Sequence, residues 1–170
     1  MKRIGTIVAM LAIAASTASA QGGLSAGHLG AAFGVSVPTG SLARSYSSGF
    51  NLAGVAEYQA PGQVMSVRGE LFYERFPSKA GTADGHASQT AAGIINAVYH
   101  FQGSSFHPYL IGGMGLYKVT GNGAKPGFNG GVGIQIPLTG MTAYFEVRLH
   151  KVLTDGSSYV TLPVTFGLSF

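Results

Sequence analysis

The sequence contains no cysteine and no tryptophan, and only 9% of its residues are charged. Without cysteine, the chain can form no disulfide, no thiolate zinc centre and no thiol nucleophile. A water-soluble domain carries about a quarter charged residues, so this chain has too few charges to cover a surface that faces water everywhere. Its 170 residues, 46% of them hydrophobic and 27 of them glycine, suit one domain, part of whose surface faces something other than water.

The first twenty residues have the three regions of a secretory signal peptide. A short basic start is followed by an apolar run and then by Ala18-Ser19-Ala20, which has the small-residue form of a cleavage site. The apolar run is shorter than the about 20 residues that a membrane-spanning helix needs. We therefore predict a signal peptide at residues 1–20 and a mature domain at residues 21–170.

Little net charge remains outside this leader. Without Lys2 and Arg3, the chain has eight basic and six acidic residues and no cluster of lysine or arginine, which excludes a nucleic-acid-binding patch. Asp84 and His86 are two potential metal ligands without a third. The glycine-containing segments lack the spacing of phosphate-binding or dinucleotide-binding loops. We therefore predict no metal and no cofactor.

Residues after the leader alternate between apolar and polar with period two, which predicts an all-β domain. Long polar connections at residues 38–48 and 77–89 alternate with tight turns such as Thr139-Gly140, so one end of the domain carries the long loops. A tilted strand needs about 9 to 11 residues to cross a hydrocarbon core, and the predicted strands reach this length. Eight strands are predicted, at residues 27–37, 49–59, 64–76, 90–101, 106–119, 127–138, 141–152 and 158–170.

The two faces of each predicted strand differ in chemistry. In the last strand, Val164 and Phe166 lie on a bulky apolar face, whereas Thr165 and Gly167 lie on a face of small and polar residues. A soluble ligand-carrying barrel places its apolar face inside and needs a charged exterior, whereas a membrane barrel places small and paired polar groups inside. The low charge favours a membrane barrel, closed so that every strand is hydrogen-bonded within lipid. The soluble barrel, with its large side chains inward, is the alternative.

Three segments resemble the small transmembrane barrels of bacterial outer membranes, of the OmpA-like and OmpX-like kind. They are residues 107–117, residues 127–133 and the last strand, residues 159–170, which ends on an aromatic residue. The resemblance implies an eight-stranded antiparallel up-and-down transmembrane β-barrel in a Gram-negative outer membrane, with long loops outside and both termini in the periplasm. It also implies insertion by the barrel-assembly machinery, after escort by periplasmic chaperones, through an assembly signal formed by Phe166, Leu168 and Phe170.

Charged residues on the small-residue face are predicted to fill the lumen, because eight strands enclose a space just wide enough for side chains. Buried charges persist only when they are paired, so each lumen arginine is expected to contact at least one glutamate. The alternative is a narrow conduit or small-ligand site that runs along the same groups. The predicted polar network consists of Glu57, Arg68, Glu70, Glu74, Glu146 and Arg148, with His28, His100 and His150 as further candidates.

Three basic residues, Arg75, Lys118 and Lys151, close outward-running strands in the lipid-facing phase. Their long side chains are predicted to reach lipopolysaccharide phosphates while their stems stay in the apolar band; plain solvated rim charges are the alternative. Pro163 removes a ladder donor in mid-strand, which predicts a local bulge or a carbonyl satisfied by water or a side chain. An inner aromatic girdle is predicted from Tyr58, Tyr99, Phe101, Phe106, Tyr109 and Phe145.

The sequence therefore predicts a structural or surface-interaction protein of the outer membrane. We expect a monomer surrounded by outer-membrane lipid and lipopolysaccharide, without enzymatic activity. A lipid A-modifying enzyme is the alternative, because some eight-stranded barrels resembling this one modify lipid A. Such an enzyme needs a histidine with a serine and a carboxylate near the outer rim. The candidates are His150 and the loop group of Asp84, His86 and Ser88.

Overall fold

The computed structural model describes residues 27–80, 87–102, 106–121, 123–154 and 159–170. The predicted signal peptide lies outside these ranges, as do Asp84 and His86. Within the described residues, no helix is long and apolar enough to cross a membrane.

Eight antiparallel strands close into one barrel in sequence order, which confirms the predicted fold. β1 pairs with β8 to close the sheet, and Leu29 and Phe170 exchange backbone hydrogen bonds of 2.9 and 2.8 Å at one end of this seam. The strands are β1 (Gly27–Pro38), β2 (Gly49–Gln59), β3 (Met65–Phe76), β4 (Ser88–His100), β5 (His107–Val119), β6 (Ala124–Leu138), β7 (Met141–Val152) and β8 (Tyr159–Ser169).

The strand ends and one loop differ in detail from the prediction. β6 begins at Ala124, three residues earlier than predicted, because Ala124 still pairs with Lys118 of β5. A four-residue helix, α1 (Leu42–Ser45), follows β1 in the first long loop. One turn of helix is too short to show a helical period in the sequence, so it was not predicted. An isolated antiparallel bridge joins Tyr46, after α1, to Ser78 in the second long loop.

Large apolar side chains point outward along the strands. Val132 is 55% exposed and Leu168 is 37% exposed, whereas Thr165 on the opposite face is 2% exposed. An apolar exterior around a closed sheet is the arrangement of a barrel in lipid, where the sheet satisfies its own backbone groups. The alternative of a soluble barrel with its large side chains inward is therefore wrong.

Pro163 interrupts the ladder between β7 and β8 without a bulge. Val147 pairs with Val164 and His150 pairs with Thr161 in the same register, and the two positions between these pairs are unpaired. Proline has no N–H to donate to β7, so the ladder loses contacts at this point while the register is kept. Of the two predicted outcomes, the bulge is therefore wrong, and a carbonyl satisfied by water or a side chain stays a prediction.

The interior has two zones along the barrel axis. Polar and charged residues fill its middle, whereas apolar residues gather at the end that carries the long loops; a smaller buried cluster lies toward the tight turns and consists of Val98, Tyr109 and Ile111. We call the apolar group at the long-loop end the outer cap; it consists of Phe76, Val119, Val152 and Tyr159, each at most 8% exposed. Leu42 and Tyr46 from the first long loop pack against the same buried cluster.

Candidate functional site

Arg68 of β3 connects two glutamates from different sides of the lumen. Its Nε donates to Oε2 of Glu57 at 2.8 Å, and its Nη1 donates to Oε2 of Glu146 at 2.7 Å. Glu57 lies on β2, beside β3, whereas Glu146 lies on β7, four strands away around the barrel. This arginine therefore ties opposite walls together.

Arg148 of β7 makes a second connection across the lumen. Its Nη1 and Nη2 donate to the two carboxylate oxygens of Glu70 on β3, at 2.5 and 2.9 Å, in the bidentate geometry that guanidinium groups favour. Its Nε lies 2.6 Å from Oε1 of Glu146. Glu146 thus stands between two arginines, and the charges alternate in the order Glu57, Arg68, Glu146, Arg148, Glu70.

Four further polar groups complete the coordination of this charge chain. Asn96 donates to Glu70 at 2.9 Å, and Tyr109 donates to Glu146 at 2.7 Å. Ser66 donates to Glu57, and Nε2 of His100 lies 3.1 Å from the same carboxylate. The network is buried, since the side chains of both arginines and Glu146 are 1% exposed. Paired and hydrogen-bonded in this way, the charges can remain ionised away from water.

Two tyrosine rings enclose the guanidinium of Arg68. Its Cζ lies 5.3 Å from the ring centroids of both Tyr109 and Tyr144, within the range of cation–π attraction. Glycines on neighbouring strands make room for these rings. A Cβ at Gly133 would lie 2.2 Å from the Tyr109 ring, and one at Gly167 would lie 2.2 Å from the Tyr144 ring.

The structure separates three predicted members from the charge chain. Both arginines contact glutamates, but Glu74 is buried in the lumen without an ion pair to a described residue. It lies closer to the long-loop end of the barrel, beside the outer cap. His150 is also buried, and its Nδ1 lies 3.4 Å from the Tyr117 hydroxyl. His28 is exposed at the tight-turn end, opposite Glu57 in the β1–β2 register.

Tyr109 was predicted for the inner aromatic girdle, and this prediction is wrong. It is 1% exposed and points into the lumen, where its hydroxyl meets Glu146. The phase of β5 could have revealed this, because Leu110, Met114 and Leu116 are apolar and Tyr109 falls on the opposite face. The other five predicted girdle residues, Tyr58, Tyr99, Phe101, Phe106 and Phe145, are 41–55% exposed.

The predicted rim residues lie at the loop end of alternate strands. Arg75 on β3, Lys118 on β5 and Lys151 on β7 are all exposed and share the outward phase of the apolar side chains. Arg75 and Lys118 flank β4, where they pair with Gln89 and Ala91. The predicted assembly residues Phe166, Leu168 and Phe170 also face outward, at 40%, 37% and 56% exposure.

Solved structures match this fold with low sequence identity. Neisserial surface protein A has a TM-score of 0.63 and 16% identity, over 84% of this chain and 95% of that chain. The Yersinia pestis attachment invasion locus protein Ail has a TM-score of 0.52 and 16% identity, over 85% of this chain and 99% of that chain. The chain has the fold of a small outer-membrane barrel. No protein-family model matches the sequence, and no curated protein matches it.

Fold and surface chemistry agree on where such a barrel resides. Phe33, Leu71, Ile95 and Met114 are each at least 60% exposed, although they are large and apolar. Water would disfavour such a belt, whereas lipid accommodates it, so the barrel spans a membrane. The fold shared with outer-membrane proteins agrees with the predicted location in a Gram-negative outer membrane.

Proposed function

We propose that this protein is a structural and surface-interaction barrel that anchors itself to lipopolysaccharide through its basic rim. The observation that carries the proposal is the placement of Arg75, Lys118 and Lys151. All three side chains are exposed, point away from the lumen and stand at the loop ends of strands whose apolar residues also face outward. Basic groups at such a boundary can extend to lipid phosphates while their stems remain in hydrocarbon.

The barrel works as a monomer, with outer-membrane lipid as its surroundings. The barrel-assembly machinery and periplasmic chaperones deliver it, and Phe166, Leu168 and Phe170 provide the terminal signal. Support comes from the outward phase of these three residues on β8, the strand that closes the sheet against β1.

The proposed role is not catalytic. A lipid-modifying barrel would need a histidine held by a serine and a carboxylate. Among the described residues, His150 has Tyr117 as its hydrogen-bonding neighbour, and its Nε2 has no partner. Its ring is also 1% exposed and lies 4.9 Å from the ring of Phe72, away from the membrane surface where a lipid would bind. This environment supports a packed lumen histidine rather than a general base.

A thermal unfolding experiment in nanodiscs tests the rim. The wild type is compared in discs of zwitterionic phospholipid with and without lipopolysaccharide, beside a variant carrying Arg75→Gln, Lys118→Gln and Lys151→Gln. We expect lipopolysaccharide to raise the unfolding temperature of the wild type by about 3 °C or more. The unfolding temperature of the triple variant should be the same with and without lipopolysaccharide. High salt should reduce the effect, because it screens exposed charges.

Arg44→Gln provides the matched control. Arg44 is an exposed basic residue at the same end of the barrel, but it lies on α1 rather than at a strand end. The control should keep the full response to lipopolysaccharide. Two results would contradict the proposal: a triple variant that lipopolysaccharide stabilises as much as the wild type, or a wild type that lipopolysaccharide does not stabilise.

A further inference from the structure

Glu74 on β3 is a buried carboxylate that stands outside the charge chain. It is 2% exposed, and no arginine, lysine or histidine among the described residues forms an ion pair with it. Its Oε1 accepts a long hydrogen bond of 3.4 Å from the Thr161 hydroxyl, and its Oε2 has no hydrogen-bond partner. Glu57, Glu70 and Glu146, in contrast, each contact an arginine.

A carboxylate in this position needs a positive partner or a proton. Burying an unpaired charge is expensive, and the outer cap above Glu74 keeps water and its high dielectric constant away. A buried carboxylate oxygen without a hydrogen-bond donor is satisfied in folded proteins by a proton, a water or a cation. A protonated, neutral Glu74 would respond equally to all alkali salts and to choline, so a comparison of these salts distinguishes it from a cation site.

Oxygen atoms dominate the surroundings of Glu74. Thr161 donates to the carboxylate, and Thr90 lies beside Glu74 as its register partner on β4. Ser36 is bonded to Asn51, the register partner of Glu74 on β2. Thr90 and Tyr159 are themselves joined at 2.7 Å, and Ser36 accepts a hydrogen bond of 3.1 Å from Asn51, so the shell is held in place. Carboxylate and hydroxyl oxygens are hard ligands, which prefer alkali and alkaline-earth cations over soft transition metals.

The charge of the shell selects the valence of the cation. Divalent cations are usually held by several carboxylates, and this shell has one. In the described part of the chain, no group of three or more histidine, aspartate or glutamate residues could hold a metal ion. One carboxylate with neutral hydroxyls matches a single positive charge.

We propose that Glu74 and its surrounding hydroxyls bind one monovalent metal cation, of the sodium or potassium class, beneath the outer cap. Its ligands come from β1, β3, β4 and β8. The cation therefore links the β1–β8 closing seam to β3 and β4 on the loop side, whereas the two arginines link β3 to β7 lower in the barrel. The site is independent of the proposed rim function.

Refolding in different salts tests the site. The full-length mature chain is refolded from urea into detergent micelles in sodium, potassium or choline chloride at equal ionic strength, so that screening is constant. We expect sodium or potassium to raise the unfolding temperature by about 3 °C or more over choline, with a dependence on cation concentration that saturates. Glu74→Gln keeps the shape and removes the charge, and it should abolish the difference between salts.

A pair of threonine variants separates ligand loss from general loosening. Thr161→Val on β8 removes a proposed ligand and should shift the cation dependence to higher concentration. Thr142→Val, at the tight-turn end of β7, should not. Crystals grown with rubidium or thallium(I) should show an anomalous scattering peak next to the Glu74 carboxylate. Equal stability of the wild type in all three salts, a salt effect that survives Glu74→Gln, or crystals without that peak would each overturn the proposal.

Discussion

At the scale of single residues, the lumen is stabilised by alternation of charge. Each arginine contacts two glutamates, and Glu146 contacts both arginines, so each ionised group of the central chain has an opposite charge beside it. Removing one partner from such a buried set leaves the others uncompensated, which costs more than the net contribution of the pair itself. The tyrosines beside Arg68 add packing that a truncated side chain would lose.

Arg68→Ala should lower the free energy of unfolding by about 3 to 5 kcal/mol, because Glu57 and Glu146 lose their shared cation in a buried site. Urea unfolding in phosphocholine micelles, which contain no lipopolysaccharide, measures the change. Arg75→Ala is the matched control: it removes an exposed arginine from the same strand and should change stability by about 0.5 kcal/mol or less. Equal effects of the two substitutions would show that the ion pairs of Arg68 contribute nothing.

At the scale of strands, the sequence shows on which face of the sheet nearly every residue lies. It does not show which residue each side chain contacts across the lumen. Period-two alternation assigned Arg68 and Glu146 to the interior because a strand places successive side chains on opposite faces. The contact between them joins β3 to β7 across 78 residues, and it depends on the closed barrel rather than on local pattern. The prediction put Tyr109 in the aromatic girdle because it is aromatic, although its position in the alternation of β5 faces it into the lumen. Alternation also places Glu74 in the lumen, but it does not encode height along the barrel axis, which decides whether an arginine lies within reach.

Two glycines of β6 allow a test of how closely the strands approach side chains. Gly133 faces the lumen, where a Cβ would lie 2.2 Å from the Tyr109 ring, whereas the nearest atom to a Cβ at Gly130 is the Ile111 carbonyl oxygen at 3.8 Å. Gly133→Ala should therefore displace Tyr109 from Glu146 and destabilise the barrel by about 1 to 3 kcal/mol. Gly130→Ala should be neutral or slightly stabilising, because alanine loses less backbone entropy on folding. Urea midpoints of both variants give the comparison, and a neutral Gly133→Ala would contradict the packing.

At the scale of the whole molecule, the barrel is closed by two different kinds of packing. Salt-bridged side chains fill the middle, and the apolar outer cap fills the loop end, where Phe76 is 0% exposed and Val152 is 1% exposed. An ion that entered from the tight-turn end would have to separate the charge chain and then pass an apolar zone that disfavours any charge. The tight-turn mouth itself is lined by polar side chains, including Gln59, Gln63, Gln102 and His107. The interior thus supports a filled barrel over the alternative of a narrow conduit between Glu57 and Arg148.

Planar-bilayer recordings test this closure directly. The purified wild type should insert without producing discrete conductance steps, because neither zone leaves a continuous aqueous path; a general porin, recorded in the same membrane, establishes that insertion and detection work. Substituting Phe76→Ala should leave the current unchanged, since the charge chain below still blocks the lumen. Conductance steps in the wild type would contradict a filled lumen. If their size also changes in Glu146→Gln, they would favour the conduit, because Glu146 joins the two arginines that any permeating ion must pass.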